Sequence, residues 1–258
     1  MIRLSGCIEM LFAELEDFNA RIPAAAAAGL DAVEFWNYSN KDLAGLARAC
    51  QETGLPVAAM CVEFPDGMLD HALAEGYAEA THQAIATAQV VGCNTLITIT
   101  GNECDGMNRQ RAHAGIVACL RAAAPIAEAA GITICLEPLN VLVDHPGYFL
   151  TTSQEGFEII EQVNSPAVKL LFDVYHQQVT EGNLIANITA HAGLIGHFHS
   201  ADVPGRFAPG TGEINFANVL GAINDMGYEG FFGLEYKPQG PTAPTLQPIL
   251  AIRDRLNS

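Results

Sequence analysis

The chain has 258 residues, half of them hydrophobic, enough to bury the core of one large domain or of two small ones. Its 12 basic side chains stand against 29 acidic ones, a formal charge of -17 that repels phosphate backbones and anionic lipid and argues against nucleic-acid or membrane-surface binding. Seven cysteines with no C-x-x-C pair, no signal-peptide pattern and no bilayer-length apolar run make a soluble, reduced, cytoplasmic protein the expectation.

Short apolar runs alternate with longer helical patterns from one end to the other. Residues 2–8, 32–35, 57–64, 95–100, 132–137, 168–173, 195–201 and 230–236 read as strands. Residues 15–28, 41–53, 72–91, 109–130, 153–163, 184–192, 216–226 and 245–256 read as helices. Several of these helices end at a glycine just before the next strand, among them Gly54, Gly92 and Gly131. Eight strand–helix repeats in about 250 residues predict an α/β fold, a single-domain (β/α)8 TIM barrel over residues 1–258. An open doubly wound sheet is the other arrangement, but no G-x-G-x-x-G follows the first strand, so a dinucleotide site is unsupported.

A barrel gathers its chemistry at the C-terminal ends of its strands. Those ends carry Glu34, Glu63, Asn102, Glu137, Asp173, His199 and Glu235, spaced on average about 33 residues apart, one strand–helix unit. The densest stretch is GHFHSADVPGRFAPGTGEINF, residues 196–216, where alternation puts His197 and His199 on one face and Phe198 on the other. Asp202, Arg206 and Glu213 follow in a segment broken by prolines and glycines.

Strands five to eight supply Glu137, Asp173, His199 and Glu235. Three carboxylates and an imidazole converging at a barrel mouth need a positive partner, and the chain has only three lysines, Lys41, Lys169 and Lys237. A divalent cation meets that need; hard oxygens with one nitrogen favour Mn, Mg or Co, and Zn also fits. Such an ion beside two glutamates suggests proton transfer next to a carbonyl through an enediolate, one glutamate removing the proton and the other returning it. A Schiff-base aldolase would need a lysine at the mouth. Lys169 lies towards the closed end, and Lys237 fits better as a charge anchor, because the surrounding carboxylates keep it protonated. Glu34 and Glu63 read as supporting or substrate contacts, Asn102 as a substrate contact, Trp36 as pocket wall or core, and His71 and His145 as surface.

The motifs LEPLN (136–140), FDVYHQQ (172–178), the 196–216 stretch and GYEGFFGLEYKP (227–238) together resemble the hydroxypyruvate isomerase family. That family belongs to the xylose-isomerase-like TIM barrels, which also hold ketose 3-epimerases. The resemblance covers nearly the whole chain and is densest from the fifth strand onward. It implies that Glu137, Asp173, His199 and Glu235 are metal ligands, with Glu137 and Glu235 also the catalytic acid/base pair. It further implies that His176, from a D-x-x-H pattern, contacts substrate oxygens and that Arg206 belongs to a substrate-facing loop. His199 stands where hydroxypyruvate isomerases often carry Gln, and there the chain resembles the epimerases. The PGRFAPGTGEINF loop and the EYKP ending resemble the isomerase branch, and Arg206 with Lys237 would give a substrate carboxylate two cationic partners.

The expectation is a metal-dependent isomerase, a homo-oligomer, that interconverts hydroxypyruvate and 2-hydroxy-3-oxopropanoate (tartronate semialdehyde) or a similar small hydroxy-oxo acid. A ketose 3-epimerase or a 2-oxo-tetronate isomerase would use the same site. A DNA-repair endonuclease of the same superfamily would need a basic face, which the charge of -17 denies. A non-catalytic metabolite-binding barrel would leave the two glutamates unexplained.

Overall fold

A computed structural model describes residues 1–258. Eight parallel strands form it: β1 (Leu4–Cys7), β2 (Ala32–Glu34), β3 (Met60–Cys61), β4 (Thr95–Thr98), β5 (Thr133–Leu136), β6 (Val168–Asp173), β7 (Ile195–Ser200) and β8 (Phe232–Leu234). They pair in the order β2-β1-β8-β7-β6-β5-β4-β3. The ring closes between β2 and β3, where Val33 bridges Val57 and the Ala58 N–H donates to the Val33 carbonyl at 2.7 Å. The expected (β/α)8 barrel is therefore present.

Helices coat the barrel: α1 (Arg21–Ala27), α2 (Leu43–Thr53), α3 (Ala74–Val91), α4 (Arg109–Ala130), α5 (Ser153–Val163), α6 (Val174–Thr180), α7 (Leu184–Ala190), α8 (Phe216–Asp225), α9 (Thr242–Thr245) and α10 (Gln247–Leu256). Their ends follow local chemistry. Asp42, Asn108 and Thr152 accept backbone N–H groups at the starts of α2, α4 and α5. Gly54, Gly92 and Gly131 close α2, α3 and α4 in the left-handed conformation. No helix is long and apolar enough to cross a membrane.

The helices differ from the sequence expectation in three places. The helix read over 15–28 begins only at Arg21, because Pro23 lacks an N–H and is tolerated in a first turn but not in a helix interior. The helix read from residue 245 is α10, which starts at Gln247 with Pro248 in its first turn, and the short α9 that precedes it was not expected. Helix α6 was not expected. It starts directly after β6 because Asp173 Oδ1 accepts the N–H groups of Tyr175 and His176 at 2.7 and 3.1 Å.

Burial divides into two unequal parts. The layer between sheet and helices is a continuous cluster of 66 buried residues. Four residues on β3 to β6 and their approach, Ala59, Ile97, Cys135 and Leu171, form a separate small cluster. Alternation places these four on the same inward face as Glu137 and Asp173. On the β1, β2, β7 and β8 side the matching positions hold Ser5, Glu34, His197, His199 and Gly233, all buried. Half of the barrel lumen is thus small or polar.

Candidate active site

Glu137 and Glu235 each follow the last residue of their strand, Asp173 ends β6, and His199 is the penultimate residue of β7. All four are buried, and one ligand atom from each lies within 4.8 Å of the others. His199 Nδ1 stands 3.6 Å from Glu137 Oε1 and 3.7 Å from Glu235 Oε2. Glu137 Oε1, Asp173 Oδ2 and His199 Nδ1 are all buried without a hydrogen-bond partner. Leaving such atoms unpaired costs about 1–3 kcal/mol each, and more for a charge. A buried acidic cluster with bare lone pairs turned inward fits a divalent cation, and its oxygen-rich donor set suits Mn, Mg or Co, with Zn also accommodated.

Glu235 is held on both oxygens. Glu235 Oε1 accepts the Trp36 indole N–H at 2.7 Å, and Arg206 pairs with Glu235 Oε2. Burial works against ionising Glu235, but His199 and Arg206 outweigh it and hold its carboxyl below the usual range. Asp173 has no such surplus, and burial pushes it up to about 6 despite Arg206 and His199. This is the titration expected of a site short of positive charge.

Arg206 reaches the cluster from the loop after β7. Its backbone is left-handed at φ 58, which costs roughly 1–2 kcal/mol for a side-chain-bearing residue. Its carbonyl accepts the Lys237 N–H at 2.7 Å, and its guanidinium also lies 3.8 Å from Asp144. Asp202 fastens the loop: fully buried, its carboxylate accepts the N–H groups of Val203, Gly210, Gly212 and Ile214 at 2.9, 2.8, 2.9 and 3.1 Å.

His176 is also buried and faces the same space from α6. Its Nδ1 accepts the backbone N–H of Asn140 at 3.2 Å and lies 2.7 Å from the Asn140 side-chain amide. Nε2 must then carry the ring proton, and it has no partner within the protein. Burial lowers His176 to about 4, so at neutral pH it is an uncharged donor at the cavity floor, its Nε2 3.7 Å from Asp173 Oδ2.

The cavity above these groups has a volume of about 560 Å³. Glu137, Glu235, His176 and Arg206 make its polar floor, and Trp36, Phe64, Ile97 and Ile99 its apolar wall. Glu63 joins the rim, its Oε1 held by the N–H groups of Tyr38 and Ser39 at 2.6 and 2.9 Å. Two expected contacts do not reach it. Lys237 and Asn102 are exposed and outside the cavity wall. β8 ends at Leu234 and β4 at Thr98, so the two-residue alternation behind both expectations has lapsed there. Arg206 is the only cation in the wall.

Two wall residues and one brace beside them were missed or misplaced. His145, read as surface, lines the cavity with its ring centroid 5.3 Å from that of His176. Asp144 accepts the Tyr175 hydroxyl at 2.7 Å and braces Arg206. Cys61 also lines the wall; burial raises its thiol well above the usual range, leaving it neutral. Only the loop path of residues 140–147 reveals the first two, and no spacing in the sequence encodes it.

Comparison with known proteins agrees with the fold. A family profile described as "Xylose isomerase-like TIM barrel" matches residues 22–255. Hydroxypyruvate isomerase of Escherichia coli K12 is 32% identical over 254 residues, covering 96% of this chain and 98% of the relative. The chain belongs to the hydroxypyruvate isomerase family of xylose isomerase-like TIM barrels. It is thus an isomerase by family. A second member, 2-oxo-tetronate isomerase of Cupriavidus necator, is 31% identical and covers 95% of this chain and 96% of its own length. Among solved structures, one titled AP endonuclease, family 2, from Brucella melitensis superposes with a TM-score of 0.91 at 28% identity, over 97% of this chain and 99% of that one.

Proposed function

We propose that this enzyme interconverts hydroxypyruvate and 2-hydroxy-3-oxopropanoate, or a close hydroxy-oxo acid, with Glu137 and Glu235 as the acid/base pair. The observation that carries the reading is the convergence of Glu137 Oε1, Asp173 Oδ2 and His199 Nδ1, bare and buried, between two glutamates at the mouth. Glu137, Asp173, His199 and Glu235 would hold the divalent cation. That cation supplies polarisation of the substrate carbonyl and its neighbouring hydroxyl, which makes the adjacent C–H acidic.

The chain's own groups then account for the proton traffic. From hydroxypyruvate, one glutamate removes a proton from C3, and a proton is delivered to C2 by the other or by the same group. The hydroxyl proton passes from the C3 oxygen to the C2 oxygen, so the product is an isomer and no redox partner is needed. Trp36 and Arg206 hold Glu235 in place through both oxygens, so its carboxylate cannot rotate away from the substrate. His176 donates its Nε2 proton to a substrate oxygen, and Arg206 meets the substrate carboxylate. The apolar wall excludes water from the reacting carbons.

A second reading has its own support. The 2-oxo-tetronate isomerase of Cupriavidus necator, 31% identical over nearly the full length, makes a four-carbon oxo acid the nearest alternative substrate, and a cavity of about 560 Å³ admits either acid. A neutral ketose with epimerisation at C3 is the third candidate. Proton exchange in D2O separates them. With Mn2+-loaded enzyme, deuterium should enter hydroxypyruvate and the semialdehyde should appear by NMR, while fructose stays inert. Exchange at C3 of the ketose alone would overturn the acid-isomerase reading.

A further inference from the structure

One buried acid, Glu34 on β2, has no place in that chemistry. It is 1% exposed, at the inner face of the barrel one layer below the cluster. Its carboxylate spans two imidazoles. Oε2 lies 2.8 Å from His197 Nε2, a hydrogen bond, and Oε1 lies 3.4 Å from His199 Nε2, a charge contact outside hydrogen-bond geometry. The two rings stand edge-to-face with centroids 5.1 Å apart. An ionised carboxylate only accepts hydrogen bonds. His197 Nε2 therefore carries its proton, and a His199 ring that ligates an ion through Nδ1 must carry its own proton on Nε2, the atom that faces Glu34. Nδ1 is the atom that faces Glu137 and Glu235.

A second observation concerns the space these groups occupy. Gly233, on β8, is the only residue type that leaves room for the pair. A Cβ there would lie 2.4 Å from Glu34 Oε1, 2.6 Å from His199 Cδ2 and 2.8 Å from the Phe198 carbonyl. The Phe198 carbonyl is backbone and cannot yield. The gap in β8 is thus shaped to the carboxylate–imidazole contact itself.

We infer that Glu34 is the positioning residue of the site: its carboxylate beside His199 Nε2 sets the tautomer and the ring plane in which His199 ligates, with His197 as its hydrogen-bond partner and Gly233 as the space they need. The inference rests on the reading of His199 as a metal ligand. Carboxylates that hold the far nitrogen of a ligating histidine set its orientation and basicity, and losing one weakens metal binding roughly 10–100-fold. The same three residues, Glu34, His197 and His199, also have the composition of a separate ion site. The 2.8 Å contact between His197 and Glu34 has the length of an N–H···O bond, so a proton occupies it.

The test uses the full chain, stripped of metal and titrated with Mn2+ against a competing chelator, with the visible spectrum of the Co2+ form as a second readout. Wild type should bind one ion per chain. Glu34→Gln should bind it roughly 10–100-fold more weakly and with altered Co2+ bands, under conditions where circular dichroism shows it folded. Glu34→Asp keeps the charge and shortens its reach to His199 without adding an atom, so it should shift affinity and spectrum in the same direction and carries the test if Glu34→Gln does not fold. Variants that bind Mn2+ within twofold of wild type with an unchanged Co2+ spectrum would overturn the role of Glu34. Two ions per wild-type chain would overturn the proton assignment. A wild type that binds neither ion would bring down the metal-site reading, and this one with it.

Discussion

Glu137 and Glu235 carry the same side chain in different circumstances. Glu235 has a donor on each oxygen, while Glu137 Oε1 has none. Glu137→Gln removes a proton acceptor without removing volume, and turnover should fall by roughly 10²–10⁴, measured as deuterium entry into hydroxypyruvate. His176→Ala removes one donor to the substrate. We expect kcat/KM to drop roughly 10-fold, the worth of a hydrogen bond of about 1.5 kcal/mol, with metal affinity unchanged in the chelator titration. At this scale the sequence was informative where strand alternation holds. Glu137, Asp173, His199 and Glu235 all sit within one residue of a strand end or inside it, and an inward period of two finds them. His145 and Asp144 lie in a loop whose path is set by Asn140, which receives the N–H groups of Val143 and Asp144 on its side-chain oxygen. No periodicity reports such a turn.

Elements deliver these groups through their ends, and the loop after β7 shows how much one buried acid can organise. Removing the carboxylate in Asp202→Ala would leave four backbone N–H groups to find new partners. Gly210 and Gly212 are exposed and can turn to water, so we expect a loss of about 2 kcal/mol in urea unfolding rather than the full sum. KM should rise as well, because Arg206 loses the frame that holds its left-handed backbone. Prolines explain the main error in the helices. Pro23 marks a first turn, which sets the start of α1 near Arg21 however good the apolar pattern before it looks. The expectation for Lys237 failed for a related reason: three residues past Leu234 the chain is no longer a strand, and parity says nothing about direction there.

The whole molecule couples its stability to its site. Ligand bound only by the folded state adds RT ln(1 + [L]/Kd), about 2.7 kcal/mol at a hundredfold excess over Kd. Mn2+ should therefore raise the thermal midpoint of the metal-free enzyme, and Asp173→Asn should abolish most of that rise, as differential scanning calorimetry would show. The arrangement of the core carries a longer consequence. Sixty-six buried residues hold helices to sheet, whereas the separate apolar cluster inside the barrel counts four. Cohesion and reactivity therefore occupy opposite sides of the same strands, one residue apart. A lineage can exchange what the lumen does to a carbon atom while the coat that keeps the chain folded goes untouched, so new reactions in this scaffold start from a protein already stable enough to survive them.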